Sequence, residues 1–236
     1  GSCIVYTGPI AYVSSTNGSN ESGDGSLEAA FSSIQFALDI VNENDTVYVG
    51  EGTYIENIVW PATNGIQLIG ANSETTIIDG GQITAGVTFD NGENSNAVLN
   101  GFTIQNSVVG ISCDNSSPTL MNLTITENHH FGQGSGVDAG GIYLNYSNAI
   151  ITDVLITDNT VPENGGGIHL NYSDATLLRV VISNNTSTNC CGYGGGMYIK
   201  NSNPTLSEVT VQGNEAGYGG GIATNTSSPI LQDCII

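Results

Sequence analysis

Positive charge is almost missing from this chain. Two Lys and Arg stand against 22 Asp and Glu, so 236 residues carry a net charge of −20. Nucleic-acid binding is excluded, because phosphate contacts need Lys and Arg. Anionic membrane surfaces are excluded for the same reason. Long apolar runs are missing too: no stretch approaches the roughly 20 residues of a membrane-spanning helix. Only 10% of the residues are charged, so the surface must be mostly uncharged polar groups. Such an acidic, Asn/Ser/Thr/Gly-rich chain suits an extracellular or bacterial cell-surface setting, where salt screens self-repulsion.

Cysteine is scarce, and its placement limits what it can do. Cys190 and Cys191 are adjacent. They read either as a vicinal disulfide or as two free or separately paired thiols. No second Cys pair or His completes a zinc site around them. Cys3 is a candidate relic of a lipidated N-terminus. Gly1-Ser2 reads as a cloning remnant, with the native leader expected to have been removed.

What the sequence has in abundance is repetition. Copies of one pattern start at Gly110, Gly141, Gly167, Gly196 and Gly221, and from the Gly to the last aliphatic residue they align without a gap. All length variation falls between copies, as in a solenoid. Five aliphatic columns run through the copies: Ile111, Ile142, Ile168, Met197, Ile222; Cys113, Leu144, Leu170, Ile199, Thr224; Leu120, Ile151, Leu177, Leu206, Leu231; Leu123, Val154, Val180, Val209, Cys234; and Ile125, Ile156, Ile182, Val211, Ile236. They come as period-2 pairs in short runs, which predicts strands with one buried face. The sequence therefore predicts an all-β fold, a right-handed parallel β-helix (a single-stranded solenoid) with three short strands per coil. Two polar columns, Ser116/147/173/202/227 and Asn128/159/185/214, mark turns; Asn tolerates left-handed backbone and can hydrogen-bond its neighbour above, so the Asn column is expected as a stack at the bends. Cys113 and Cys234 sit in inward columns too many ~4.8 Å steps apart to bond, so both are expected to be buried thiols.

The glycine runs at 165–168, 194–197 and 219–222, each followed by an aliphatic-x-x-Asn element, resemble bacterial surface β-helix repeats such as those of the chlamydial polymorphic outer-membrane proteins. The succession from Tyr12-Val13-Ser14 through Asp45-Thr46-Val47-Tyr48-Val49 to Thr76-Ile77-Ile78-Asp79-Gly80 resembles the cap and first coils of secreted pectate-lyase-like β-helix proteins. These resemblances imply architecture; the fold hosts lyases, hydrolases, adhesins and stalks.

Residues 1–85 accordingly read as an N-terminal cap with the first coils, and 86–236 as regular coils of the same domain. Apolar residues at Leu27, Ala30, Phe31, Ile34, Ala37, Leu38 and Val41 predict a capping α-helix over about 27–42, plugging the N-terminal end. The loop before it carries Glu21 and Asp24, a candidate calcium loop or a solvated turn ending in an N-cap at Ser26. At the other end the sequence stops in a strand, and the expectation is that more chain, or a partner, covers the last coil.

Function is expected on the first strand of each copy. Its outward positions, Tyr143, His169 and Tyr198, predict an exposed aromatic stripe able to stack on sugar rings. The inter-copy loops bring His129, His130, Asp138, Glu163, Tyr193 and Tyr218 to the same side. The bland alternative is cross-strand packing of good strand formers. Arg179 falls between Asp153 and Glu208 and reads as an ion-pair ladder or, in the sharper reading, a catalytic arginine. Asp90 with Asp114, or Asp138 with Glu163, are the carboxyl pairs a glycoside hydrolase would need. Two cations in different columns do not furnish a lyase groove. The reading is a non-catalytic secreted or surface module for adhesion, glycan recognition or display, with no obligatory cofactor and calcium as the candidate ion. The alternative is a polysaccharide-cleaving enzyme.

Overall fold

The computed structural model describes residues 6–130 and 139–236. Among them are one helix and 25 short strands, 23 of which build three long parallel sheets, with Thr160–Val161 and Thr186–Ser187 paired in a small fourth one. A nine-stranded sheet runs from Ile10–Val13 to Ile230–Gln232. A seven-stranded sheet, here the front sheet, holds Val109–Asp114, Ile142–Asn145, Ile168–Asn171, Met197–Lys200 and Ile222–Asn225. The third sheet, also seven-stranded, holds Thr124–Thr126, Leu155–Thr157, Val181–Ser183 and Thr210–Gln212. Each strand pairs in parallel with its counterpart one coil away, in the register the sequence columns require: Ile142 with Ile168, Ile168 with Met197, Ile151 with Leu177, Ile156 with Ile182.

The aliphatic columns fill the bore. Ile111, Ile142, Ile168, Leu120, Ile151, Leu177, Val180, Ile125, Ile156 and Ile182 are fully buried, and Val87, Phe89, Leu99, Phe102 and Ile104 extend the columns toward the cap. Cys113 is buried as expected, which pushes its thiol pKa up, with the Glu93 carboxylate adding to the shift. Cys234, in the last coil, is only half-buried. The strands of the nine-stranded sheet contain no charged residue; Asp79 is alone in the third sheet, and Asp114 and Lys200 in the front sheet. Most of the net charge therefore sits on corners and loops.

Each coil turns its corners through left-handed backbone. Asn115, Asn122 and Glu127 have positive φ in one coil; Tyr146, Asp153 and Asp158 in the next; Tyr172, Arg179 and Asn184 in the one after. This corrects the expected backbone of the Asn column, while the expected bonding from Asn to Asn is present. Left-handed geometry falls on the residue before each column Asn, and the column Asn itself points inward as a polar ladder. Asn128 donates its backbone N–H and its Nδ2 to Asn159 Oδ1 at 3.1 and 2.9 Å. Asn159 does the same to Asn185, and Asn185 to Asn214. The Ser column repeats the device: the backbone N–H groups of Ser116, Ser147, Ser173 and Ser202 each donate to the next serine hydroxyl at 2.8–3.1 Å. Buried polar groups are tolerated here because every one is paired.

The cap differs from expectation in extent. Its helix is only Ile34–Ile40, burying Ile34, Ala37 and Leu38. The cap residue is Ser33, whose hydroxyl accepts from Phe36 N–H. Glu56, from a distant loop, completes the N-terminus: its carboxylate accepts from the Ser33 hydroxyl and the N–H groups of Ile34 and Gln35, each at 2.9 Å. Residues 27–33 stay non-helical because their backbone bonds elsewhere. Phe31 donates to Tyr12 O and Ser14 donates to Phe31 O, sewing the segment to the first strand. Leu27, read as helical core, is 67% exposed.

Candidate functional site

The front sheet carries the aromatic column in the predicted order. Tyr143 is registered against His169, and His169 against Tyr198. Ring centroids are 5.4 Å apart for the first pair and 4.9 Å for the second. The column is nevertheless not an open stripe. His169 is 4% exposed and Tyr198 8%. The inter-coil loops fold back over them, and the glycines make that path available. Gly165 has φ +66, and a Cβ there would lie 2.6 Å from Ile168 O and 2.8 Å from the His169 Cβ. Gly167 faces the bore, where a Cβ would lie 2.6 Å from Gly196 O. The glycine triplet is thus what allows a loop to cross its own strand at backbone contact.

The loop residues converge on this column unequally. Tyr193 stacks on Tyr198 with centroids 5.7 Å apart, and Tyr218 stacks on Tyr193 at 5.1 Å. Tyr193 and Tyr218 remain about half exposed. Glu163 lines a hollow of about 210 Å³ with Asn164, Asn189, Cys191, Tyr193 and Tyr198. His129 and His130 lie where the loop after the third-sheet strand begins: His129 donates its backbone N–H to Ser107 O and His130 donates to Thr160 O. His130 is buried. Asp138 lies outside the described residues, as does Cys3, and so does the Asp138–Glu163 pair.

A feature that sequence reasoning missed stands on the opposite edge of the front sheet. Tyr146 and Tyr172 stack with centroids 4.9 Å apart and planes within 3°. They are 55% and 49% exposed. Both sit at corners with φ +49. A tyrosine at left-handed φ costs of the order of 1 kcal/mol relative to the Asn or Gly that such corners prefer. The equivalent corners are Asn115, Asn201 and Thr226, so the appearance of Tyr in a slot otherwise held by Asn or Thr was the available signal. Between the two tyrosine stacks run Asn145 and Asn171, bonded Asn171 Nδ2 to Asn145 Oδ1 and Asn145 Nδ2 to Asp114 Oδ1. Lys200 continues their column.

The remaining candidates are engaged locally. Arg179 donates from Nε and NH2 to the two Asp153 oxygens, both at 2.7 Å. That pairing holds the Asp153 carboxyl below its ordinary range, and Glu208 acts on Arg179 only through space. Both partners are exposed, so the pair contributes little to stability. Asp90 and Asp114 end adjacent front-sheet coils as expected; Asn91 Nδ2 donates to Asp90, and Asn115 and Asn145 donate to Asp114. Asp24 accepts from Ser26 N–H, which keeps its pKa low and gives one carboxylate oxygen to the turn. Glu21 is exposed in the same loop. Among the described residues no three His, Cys, Asp or Glu side chains gather as for a metal ion, and no helix is long and apolar enough to cross a membrane.

Comparison with known proteins decides the hand of the coil. A family model described as a right-handed beta helix region matches residues 140–236. The chain is a right-handed parallel β-helix. Among solved structures, this β-helix is similar to a pectin methylesterase from Aspergillus niger, with a TM-score of 0.57 at 11% identity, covering 99% of this chain and 87% of that one. It is also similar to the pectin methylesterase PemA from Erwinia chrysanthemi, with a TM-score of 0.54 at 10% identity, covering 91% and 68%. Identities this low establish a shared fold. No curated protein matches the β-helix in sequence.

Proposed function

We propose that this β-helix is a secreted or cell-surface module that binds a carbohydrate polymer across the front sheet, without cleaving it. The observation that carries this reading is the pair of half-exposed tyrosine stacks, Tyr146–Tyr172 and Tyr193–Tyr218, framing one sheet. Flat rings with hydroxyl tips pack against sugar faces and also hydrogen-bond. Amides of Asn145 and Asn171 lie between them. Holding Tyr146 and Tyr172 in left-handed backbone spends stability that Asn would keep, and strain of this kind gathers at working surfaces. The support for a binding role over cleavage is that Arg179 is tied to Asp153 and the Asp114 carboxylate to amides.

The test exploits that strain. A Tyr146→Asn, Tyr172→Asn double variant should melt no lower than the unaltered protein. On a panel of neutral and acidic polysaccharides it should bind about 10- to 100-fold more weakly, the equivalent of losing two ring contacts. Unchanged binding in that variant, or no binding by the unaltered protein, would remove the tyrosines from the argument. One observation favours the alternative: Asp90 and Asp114 end neighbouring coils of the same sheet, as a carboxyl pair for glycoside cleavage would. New reducing ends from the same panel would establish that reading instead.

A further inference from the structure

The loop between Thr186–Ser187 and Met197–Lys200 carries the two adjacent cysteines, and both are exposed. Their Sγ atoms lie 3.5 Å apart. This spacing separates two fates for the pair. A disulfide needs the sulfurs at about 2.05 Å, and Cα atoms of adjacent residues are ~3.8 Å apart, below the ~4.4 Å at which unstrained disulfides begin. A chelated metal ion needs something different. With metal–sulfur bonds of about 2.3 Å, sulfurs at this separation subtend an angle of roughly 100°, near the tetrahedral value.

The loop holds that geometry from several sides. Thr188 and Asn189 donate their N–H groups to Val161 O and Pro162 O of the preceding coil at 2.9 and 2.8 Å. Gly192 N–H closes a turn on Asn189 O at 2.9 Å. On the far side Gly217 packs directly against the Cys190 carbonyl, leaving no room for a Cβ. Each thiol also shares a hollow with a carboxylate: Cys190 with Glu215, Cys191 with Glu163. The net charge of −20 draws cations toward the whole surface.

We infer that Cys190 and Cys191 form a two-sulfur chelate for a soft divalent cation, beside the Tyr193–Tyr218 stack but argued independently of the sugar-binding reading. Binding forms two metal–sulfur bonds and releases the two thiol protons to solvent. Nothing is oxidised or reduced. Water fills the other coordination positions.

The probe is Cd²⁺, titrated into the reduced chain in a Cys3→Ser background with excess Ca²⁺ to occupy oxygen-only sites. The expected result is one Cd²⁺ per chain, with thiolate-to-metal charge-transfer absorption and loss of two thiols to a thiol reagent. Cys190→Ser or Cys191→Ser should each weaken uptake roughly 10²-fold, the loss of one arm of a chelate. Cys234→Ser should leave it unchanged. Melting curves of the two loop variants should match the parent, because both side chains are exposed. A trivalent arsenical, which requires two adjacent thiols, should compete with Cd²⁺ on the chain with both loop cysteines intact. No uptake, uptake indifferent to both loop variants, or closure of the pair to a disulfide that shuts out the metal would each overturn the assignment.

Discussion

Val180→Asp leaves no cooperatively folded protein. Val180 is fully buried in an inward column between Val154 and Val209, themselves 2% and 0% exposed. A carboxylate there has aliphatic neighbours one coil above and one below, and no donor to meet it. Burying an unpaired charge costs several kcal/mol at least, which is comparable to the whole 5–15 kcal/mol stability of a typical domain. The same charge at Thr176, exposed four residues earlier on the same coil, should shift stability by about 0.5 kcal/mol or less. Far-UV circular dichroism and a thermal melt distinguish the two variants. A soluble Val180→Asp protein with a sharp melting transition would mean that the column does not face the bore.

Asn159→Ala is the second large loss, and it acts through hydrogen bonds rather than packing. Asn159 is fully buried. Its Oδ1 accepts the N–H and the Nδ2 of Asn128, and its Nδ2 donates to Ile125 O, Thr157 O and Asn185 Oδ1. Alanine leaves the Asn128 N–H buried with no side-chain acceptor and opens a gap one side chain wide. Each stranded buried group costs about 1–3 kcal/mol, so a loss of roughly 3–5 kcal/mol is expected. In a domain of this size that lowers the melting temperature by about 10 °C or more. Asn184→Ala, altering the exposed corner residue one position before the next ladder Asn, gives a useful contrast. Equal melting temperatures for Asn159→Ala and the unaltered protein would show that the ladder is incidental.

The bore was legible because its signal is redundant. Each inward column is repeated in copy after copy, so one misplaced residue such as Thr224 does not hide it. The cap was legible only in part. Leu27 to Val41 has helical spacing, but Phe31 joins the first strand through backbone bonds to Tyr12 and Ser14. The carboxylate that starts the real helix comes from Glu56, which no local window sees. The tyrosine column was found in register and misjudged in exposure. Whether a loop lies over His169 depends on where glycines let the chain double back, and that is a property of three coils together. Tyr146 and Tyr172 escaped for a different reason. They occupy a corner slot between an outward Asn and a ladder Ser, where pattern reading expects turn formers and looks no further.

The ladders also determine how the molecule responds to force. The Asn-to-Asn bonds, the Ser-to-Ser bonds and the sheet bonds each join one coil to the next, so tension applied to the two ends of the chain acts along the line of these bonds. The end coil can peel away while the remaining coils keep the bonds among themselves. Each event frees one copy of 25–31 residues, which extends to roughly 80–110 Å at ~3.3–3.6 Å per residue. The β-helix is in this sense a stack of nearly equal breakable links. Under load it lengthens in steps of one coil, and the coils still closed keep their faces assembled.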